Sequence, residues 1–206
     1  SRNLPLVIRL DGKDVTKNKA INMLDRESKD SFTNALEDSV KYFTEKYNCF
    51  AIFGSDEVSF ICANPTLLLE DMTNDGCNFS NEIISGFSQY FFKYFNEFDK
   101  HKVVYWHGKC FSIPEDKIKS YIKYRSKIIQ NVMTTYFLIK QGEYKDKEKL
   151  EIRIDKCKEL VGYDAFKDIE KGVLYCNGTR INLDKFLNGE IEEVNKIDVE
   201  DLFSNL

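Results

Sequence analysis

The chain reads as an α+β protein, an antiparallel or mixed sheet with helices packed mainly on one face. Two kinds of pattern and their order lead there. Short β-branched or aromatic runs at 5–10, 50–53, 58–62 and 173–182 have strand character and end at turn residues. Segments 28–47 and 83–98 repeat apolar residues at helical spacing. The order strand, helix, hairpin, helix, strand, helices fits a sheet of that class.

Each element follows from its residues. Residues 5–10 form a strand that runs into Asp11-Gly12. Residues 13–26 are polar and carry Lys13, Lys17 and Lys19, which suits a loop near an anionic ligand. From Ser28 to Tyr47, Phe32, Leu36, Val40 and Phe43 share one helix face. Phe50–Phe53 and Val58–Cys62 are two strands joined by a tight turn through Gly54-Ser55-Asp56-Glu57. A loop over 64–76 precedes a second amphipathic helix, whose Phe87, Phe91, Phe95 and Phe98 are core residues. Lys102–Tyr105 and Lys109–Ile113 form a strand or strand pair ended by Pro114. A long helix over 115–141 and a charged one over 145–161 come next. Asn177-Gly178 between Val173–Cys176 and Thr179–Asn182 marks a second hairpin. The rest, 183–206, is acidic and weakly patterned. This is the layout of a polymerase-type palm: 1–142 as the catalytic domain and 143–206 as a helical and hairpin extension packed on it.

Composition bounds the function. In 206 residues, 42% are hydrophobic and 14% aromatic, which excludes a disordered chain. No run is long and apolar enough to span a bilayer, so no membrane is expected. Six scattered cysteines form no C-x-x-C pair, and only His101 and His107 accompany them, against a zinc site of ordinary spacing. A reducing cytoplasm is the expected location. The net charge of −4 counts against an obligate high-affinity nucleic-acid binder but leaves room for a local basic stripe, Lys117, Lys119, Lys123, Arg125 and Lys127.

Two short acidic motifs carry the chemistry. Val7-Ile8-Arg9-Leu10-Asp11-Gly12 and Phe53-Gly54-Ser55-Asp56-Glu57-Val58 each put a carboxylate where a strand ends or turns. Each alone is also a turn former. Together they place repelling anions at one sheet end, where a cation between them is required. Mg²⁺ usually takes one or two carboxylates with phosphates and water. Two such ions about 4 Å apart clamp the attacking and leaving oxygens of an in-line displacement. Metal-dependent nucleotidyl transfer is the expected chemistry. Gly12 allows close backbone approach or serves a turn. Ser55 binds phosphate or caps its turn. Lys13, Lys17 and Lys19 hold a triphosphate or are solvated surface residues. Lys109, a strand lysine beside Cys110 and Phe111, needs a reason and is harder to dismiss than the loop lysines.

These motifs resemble those of the tRNA-histidine guanylyltransferase family and its relatives, the 3′–5′ polymerases. Arg9-Leu10-Asp11-Gly12-Lys13 is similar to the family's R-[IL]-D-G-[RK], and Ser55-Asp56-Glu57-Val58-Ser59-Phe60 to its S-D-E-x-S-[FL]. Gly108–Pro114 resembles A-R-x-F-x-x-P. Tyr124-Arg125 followed by Asn131, and Lys171-Gly172-Val173, resemble two later elements. The five lie in family order. The chain departs at Thr16, at Tyr124 and Gln130, and at Glu82, where relatives carry other residues.

The resemblance implies a palm fold and two Mg²⁺ ions. Asp11 and Asp56 would be the carboxylate ligands, Gly12 a carbonyl ligand, and Ser55 and Glu57 the flanking motif residues. It implies catalysis by Asp11, Asp56 and Glu57, and nucleotide contacts from Gly12, Lys13, Lys17, Lys19, Ser55 and Lys109. Lys123, Arg125 and Asn131 would face RNA. The substrates would be GTP or ATP and the 5′ end of a tRNA or other RNA, extended in the 3′–5′ direction. Family members are commonly oligomeric, and the exposed aromatics of 87–106 are candidates for a dimer or tetramer interface. Two further readings stay open: a palm-type cyclase or nucleotide-only transferase, and a non-catalytic nucleotide-binding palm.

Overall fold

Strand alternation sorts the side chains of the first strand, β1 (Leu6–Gly12), onto two faces. Ile8 and Leu10 enter one buried cluster, and Val7 enters another. Arg9 and Asp11 therefore share the face of Val7. The computed structural model describes residues 4–12, 26–63, 76–95 and 105–190. Lys13, Lys17 and Lys19 lie outside them, as do the 64–75 loop, Lys102 and residues 191–206.

Six strands form one antiparallel sheet. They are β1, β2 (Phe50–Gly54), β3 (Glu57–Cys62), β4 (Trp106–Ser112), β5 (Val173–Cys176) and β6 (Thr179–Ile181), in the order β4-β1-β3-β2-β5-β6. β1 is flanked on both sides, so the first acidic motif sits inside the sheet rather than at its edge. The β2–β3 hairpin turns on Ser55 at φ +55°, and the β5–β6 hairpin on Asn177 and Gly178 at φ +46° and +75°. Two positive φ angles in succession are what an Asn-Gly type I′ turn supplies.

Helices α1 (Arg26–Tyr47) and α2 (Gly76–Tyr94) cover one face. Phe32, Leu36, Val40 and Phe43 of α1 meet Ile83, Phe87 and Phe91 of α2 over Phe53, Val58, Phe60 and Trp106. Trp106 packs edge-on against Phe87 and Phe91, with centroids 5.0 and 5.1 Å away. The approach is close at Gly108, where an added Cβ would lie 2.2 Å from Ile84 Cδ1.

The other face is not bare. Val7, Ile52, Ile61 and Leu174 make an apolar row that needs cover, and α3 (Ile118–Gln141) lays Ile122 and Ile129 across it. α6 (Leu183–Leu187) adds Leu183 and Phe186. β4 stays largely open, with residues 107–112 exposed. α4 (Leu150–Glu159) packs on α3, where Arg153 donates to Asn131 Oδ1 and Thr135 Oγ1. A short α5 (Tyr163–Phe166) follows.

The described part of the strand region before Pro114 is one strand from Trp106, one of the two expected forms, while residues 102–104 lie outside the described residues. Two details differ from the sequence reading. The charged helix expected from 145 starts at Leu150, because Lys147 takes φ +61°, which no helix interior accommodates. The segment after Ile181 contains α6, capped by Asn182, whose Oδ1 accepts the Lys185 N–H at 3.0 Å.

Candidate active site

The two acidic motifs meet through the backbone. In register, Asp11 lies opposite Glu57 on β3 and opposite His107 on β4. Beyond the ladder, the Gly12 N–H donates to the Asp56 carbonyl at 2.9 Å. The end of β1 and the tip of the β2–β3 hairpin thus lie together at one end of the sheet, bearing Asp11, Gly12, Ser55 and Asp56. Gly54 lets the hairpin seat against α3, since a Cβ there would fall 2.4 Å from Ile129 Cγ2.

The next register back holds cations. Arg9 pairs with Lys109 across β4 and with Ser59 across β3, so all three share the Asp11 face. One Arg9 terminal nitrogen is 4.0 Å from Asp11 Oδ2, while Arg9 Nε is buried with no hydrogen-bond partner among the described residues. The Asp11 side chain is 47% exposed. Ser59 Oγ and the Tyr121 hydroxyl of α3 are 3.0 Å apart, which ties this face to the helix above it.

Glu57 has a different setting from the two aspartates. It is 9% exposed and faces Arg125 of α3, 6% exposed. Arg125 Nε donates to Glu57 Oε2 at 3.0 Å, and Nη2 donates to the same oxygen. Burial pushes the Glu57 carboxyl above the usual carboxylate range, and the Arg125 hydrogen bond and charge pull it partly back. Burial likewise raises the Tyr121 phenol.

The expected RNA-facing residues divide. Lys123 is exposed on α3, Arg125 is buried against Glu57, and Asn131 accepts from Arg153. The candidates Lys13, Lys17 and Lys19 fall outside the described residues. Arg9 was given no role of its own by sequence reasoning. Its signal was strand parity: Val7, Arg9 and Asp11 alternate onto one face.

Among the described residues no three His, Cys, Asp or Glu side chains converge as a cation cage. The strand-end donors are two carboxylates and a backbone carbonyl, all hard oxygen. With Glu57 engaged by Arg125, that set fits Mg²⁺, which keeps waters and substrate phosphates among its ligands.

The fold is that of tRNA(His) guanylyltransferase-like proteins, a palm. A bacterial tRNA(His) guanylyltransferase-like protein in complex with ATP superposes with a TM-score of 0.61 at 14% identity, covering 84% of this chain and 76% of its own. A bacterial protein of the same description in complex with GTP gives 0.54 at 16%, over 84% and 75%. The tRNA(His) guanylyltransferase of Saccharomyces cerevisiae gives 0.58 at 17%, over 87% and 88%. No family model matches the chain, and no curated protein matches it in sequence. Among the described residues no helix is long and apolar enough to cross a membrane.

Proposed function

We propose that this chain is a nucleotidyltransferase that uses GTP or ATP to extend the 5′ end of a tRNA or other RNA in the 3′–5′ direction. The observation that carries the reading is the Gly12 N–H to Asp56 carbonyl bond, which joins the two acidic motifs at one sheet end. The palm fold supports it.

In this reading Asp11, Asp56 and the Gly12 carbonyl hold two Mg²⁺ ions. When bound, these supply charge neutralisation on the phosphates and a more reactive attacking oxygen. Arg9 and Lys109, side by side on the same face, bind triphosphate oxygens. Ser55, at the turn, offers its hydroxyl to a phosphate. Glu57 is a positioning residue: held by Arg125, it fixes the hairpin tip against α3 and keeps Asp56 in place. Lys123 remains available to an RNA backbone. The chain's work is alignment of a nucleotide 3′-hydroxyl with an activated RNA 5′ end, plus charge balance as the leaving phosphates depart.

A second reading, transfer among nucleotides without RNA, is favoured by one observation. Of the three expected RNA contacts, Arg125 and Asn131 already have protein partners. Incubation of α-labelled GTP or ATP with Mg²⁺ and a 5′-truncated tRNA decides between them. Label on the RNA, in products lengthened at the 5′ end, supports the proposal. Labelled nucleotide products with unlabelled RNA support the second reading.

A further inference from the structure

The open end of the β2–β3 hairpin carries two cysteines that the transfer mechanism does not use. Cys49 stands one residue before β2, and Cys62 ends β3. The ladder pairs Phe50 with Ile61, so the next rung sets Cys49 directly opposite Cys62. Both side chains belong to the buried cluster under α1 and α2, at 3% and 2% exposure, and neither is in a disulfide. Their thiols are hydrogen-bonded to each other. Cys176, on the neighbouring β5, alternates with Leu174 onto the other face.

The register also fixes the kind of rung. Ser55 and Asp56 form a two-residue loop, and the pair that closes such a loop, Gly54 and Glu57, is hydrogen-bonded. Hydrogen-bonded and non-hydrogen-bonded rungs alternate from there, so Cys49–Cys62, five rungs back, is of the second kind. Opposed Cα atoms at such rungs are about 4.5 Å apart, inside the span of about 4.4–6.8 Å that a disulfide bridges. The backbone at Cys49 is held from two further sides. Its N–H donates to the Thr44 carbonyl of α1 at 3.1 Å, and its carbonyl accepts the Asn177 N–H at 3.2 Å. A bond between the two sulfurs therefore asks for no backbone movement.

We propose that Cys49 and Cys62 are a redox pair, oxidised by a peroxide to a cross-strand disulfide that staples the base of the hairpin. One thiol, as its thiolate, attacks a peroxide oxygen. The O–O bond breaks, and the departing hydroxide takes up a proton and leaves as water. The facing thiol then attacks the sulfenic sulfur, forming the S–S bond and releasing a second water. Two thiols are oxidised and one peroxide is reduced. Burial selects this oxidant, since a small neutral molecule enters where a bulky disulfide does not. The hydrogen bond with Cys62 and burial push the Cys49 thiol well up, so the pair reacts slowly and stays reduced until peroxide accumulates. The consequence is for register. A one-residue slip of β2 on β3 turns every side chain to the other face and carries Asp56 away from Gly12. A covalent rung at the base forbids that slip and leaves the tip, five rungs away, untouched.

The test treats the full chain with hydrogen peroxide, blocks the remaining thiols with an alkylating reagent in denaturant, and maps peptides without reduction. The expected product is a linked peptide pair holding Cys49 and Cys62, its S–S bond formed by loss of two hydrogens. The oxidised chain should melt about 5–10 °C higher, as closing a short loop does, and lose that gain on addition of a reductant. Cys49→Ala and Cys62→Ala, treated alike, should show no reversible gain. Each variant is also a core truncation, so the peptide map of the wild type decides without them. Four results overturn the proposal. They are cysteines left as thiols or oxidised without a link, a link from either one to Cys176 or Cys110 in place of the pair, a linked pair with no gain in melting temperature, and a reversible gain retained in either variant.

Discussion

Arg125 donates two hydrogen bonds to a single oxygen of Glu57, and this pair pins the β2–β3 hairpin to α3. Both side chains are buried, so neither charge has water to fall back on. A buried pair is costly to break by halves, because the surviving charge is stranded. Arg125→Met should therefore cost about 3–5 kcal/mol of stability. Glu57→Gln/Arg125→Met should recover a large part, since both charges are gone. Chemical denaturation of wild type, both single variants and the double variant measures this coupling.

The Arg125→Met deficit should depend on pH. Burial already raises Glu57, and losing Arg125 removes the main opposing influence. A carboxyl with a raised folded pKa binds its proton more tightly folded than unfolded. Its contribution is then fully present below the unfolded value and is lost as pH rises through the folded one. The variant should gain stability relative to wild type as pH falls from the alkaline side through the raised Glu57 value. A deficit that stays constant across that window contradicts the assignment.

Arg9 and Lys109 stand paired across β1 and β4. If they bind triphosphate, Lys109→Ala removes a charge-assisted contact worth about 2 kcal/mol, raising KM for nucleotide by about thirtyfold. The effect should shrink at high ionic strength, because exposed charges are screened. Steady-state kinetics at low and high salt checks both points.

Gly108 and Gly54 are packing positions. An added Cβ would stand 2.2 Å from Ile84 and 2.4 Å from Ile129 respectively. Gly108→Ala should cost about 1 kcal/mol, the low end for overpacking, because the clash is with the outer carbons of the Ile84 side chain on the α2 side of an otherwise exposed strand. Gly54→Ala should cost as much and also reduce transfer, because it pushes the hairpin tip off α3. Melting curves with transfer rates separate the two.

Much of this arrangement was legible in the chain itself, for local reasons. The Asn177-Gly178 turn, the phenylalanine spacing of α2 and the strand-end aspartates are short-range signals, readable at fixed period or in adjacent residues. Partnerships were not. Glu57 and Arg125 are separated by 68 residues, and only the folded sheet shows that one neutralises the other. The short α6 was signalled only by the Asn182 cap and by Leu183, Phe186 and Leu187 at helical spacing, too few residues to stand out from an acidic tail. Arg9 lay within a recognised motif, yet its place beside Lys109 depends on strand register, which pairing decides.

Nucleotide transfer by Asp11→Ala and Asp56→Ala, measured beside melting temperature in metal-free buffer, tests the central claim most directly. Removing either carboxylate relieves repulsion between neighbouring anions, and the Arg9 pair lost with Asp11 is long, at 4.0 Å, and half-exposed. Transfer should fall by about a thousandfold or more while the melting temperature holds or rises slightly. Retained transfer, or a fall in melting temperature large enough to explain the lost activity, would make these aspartates turn residues and contradict the account.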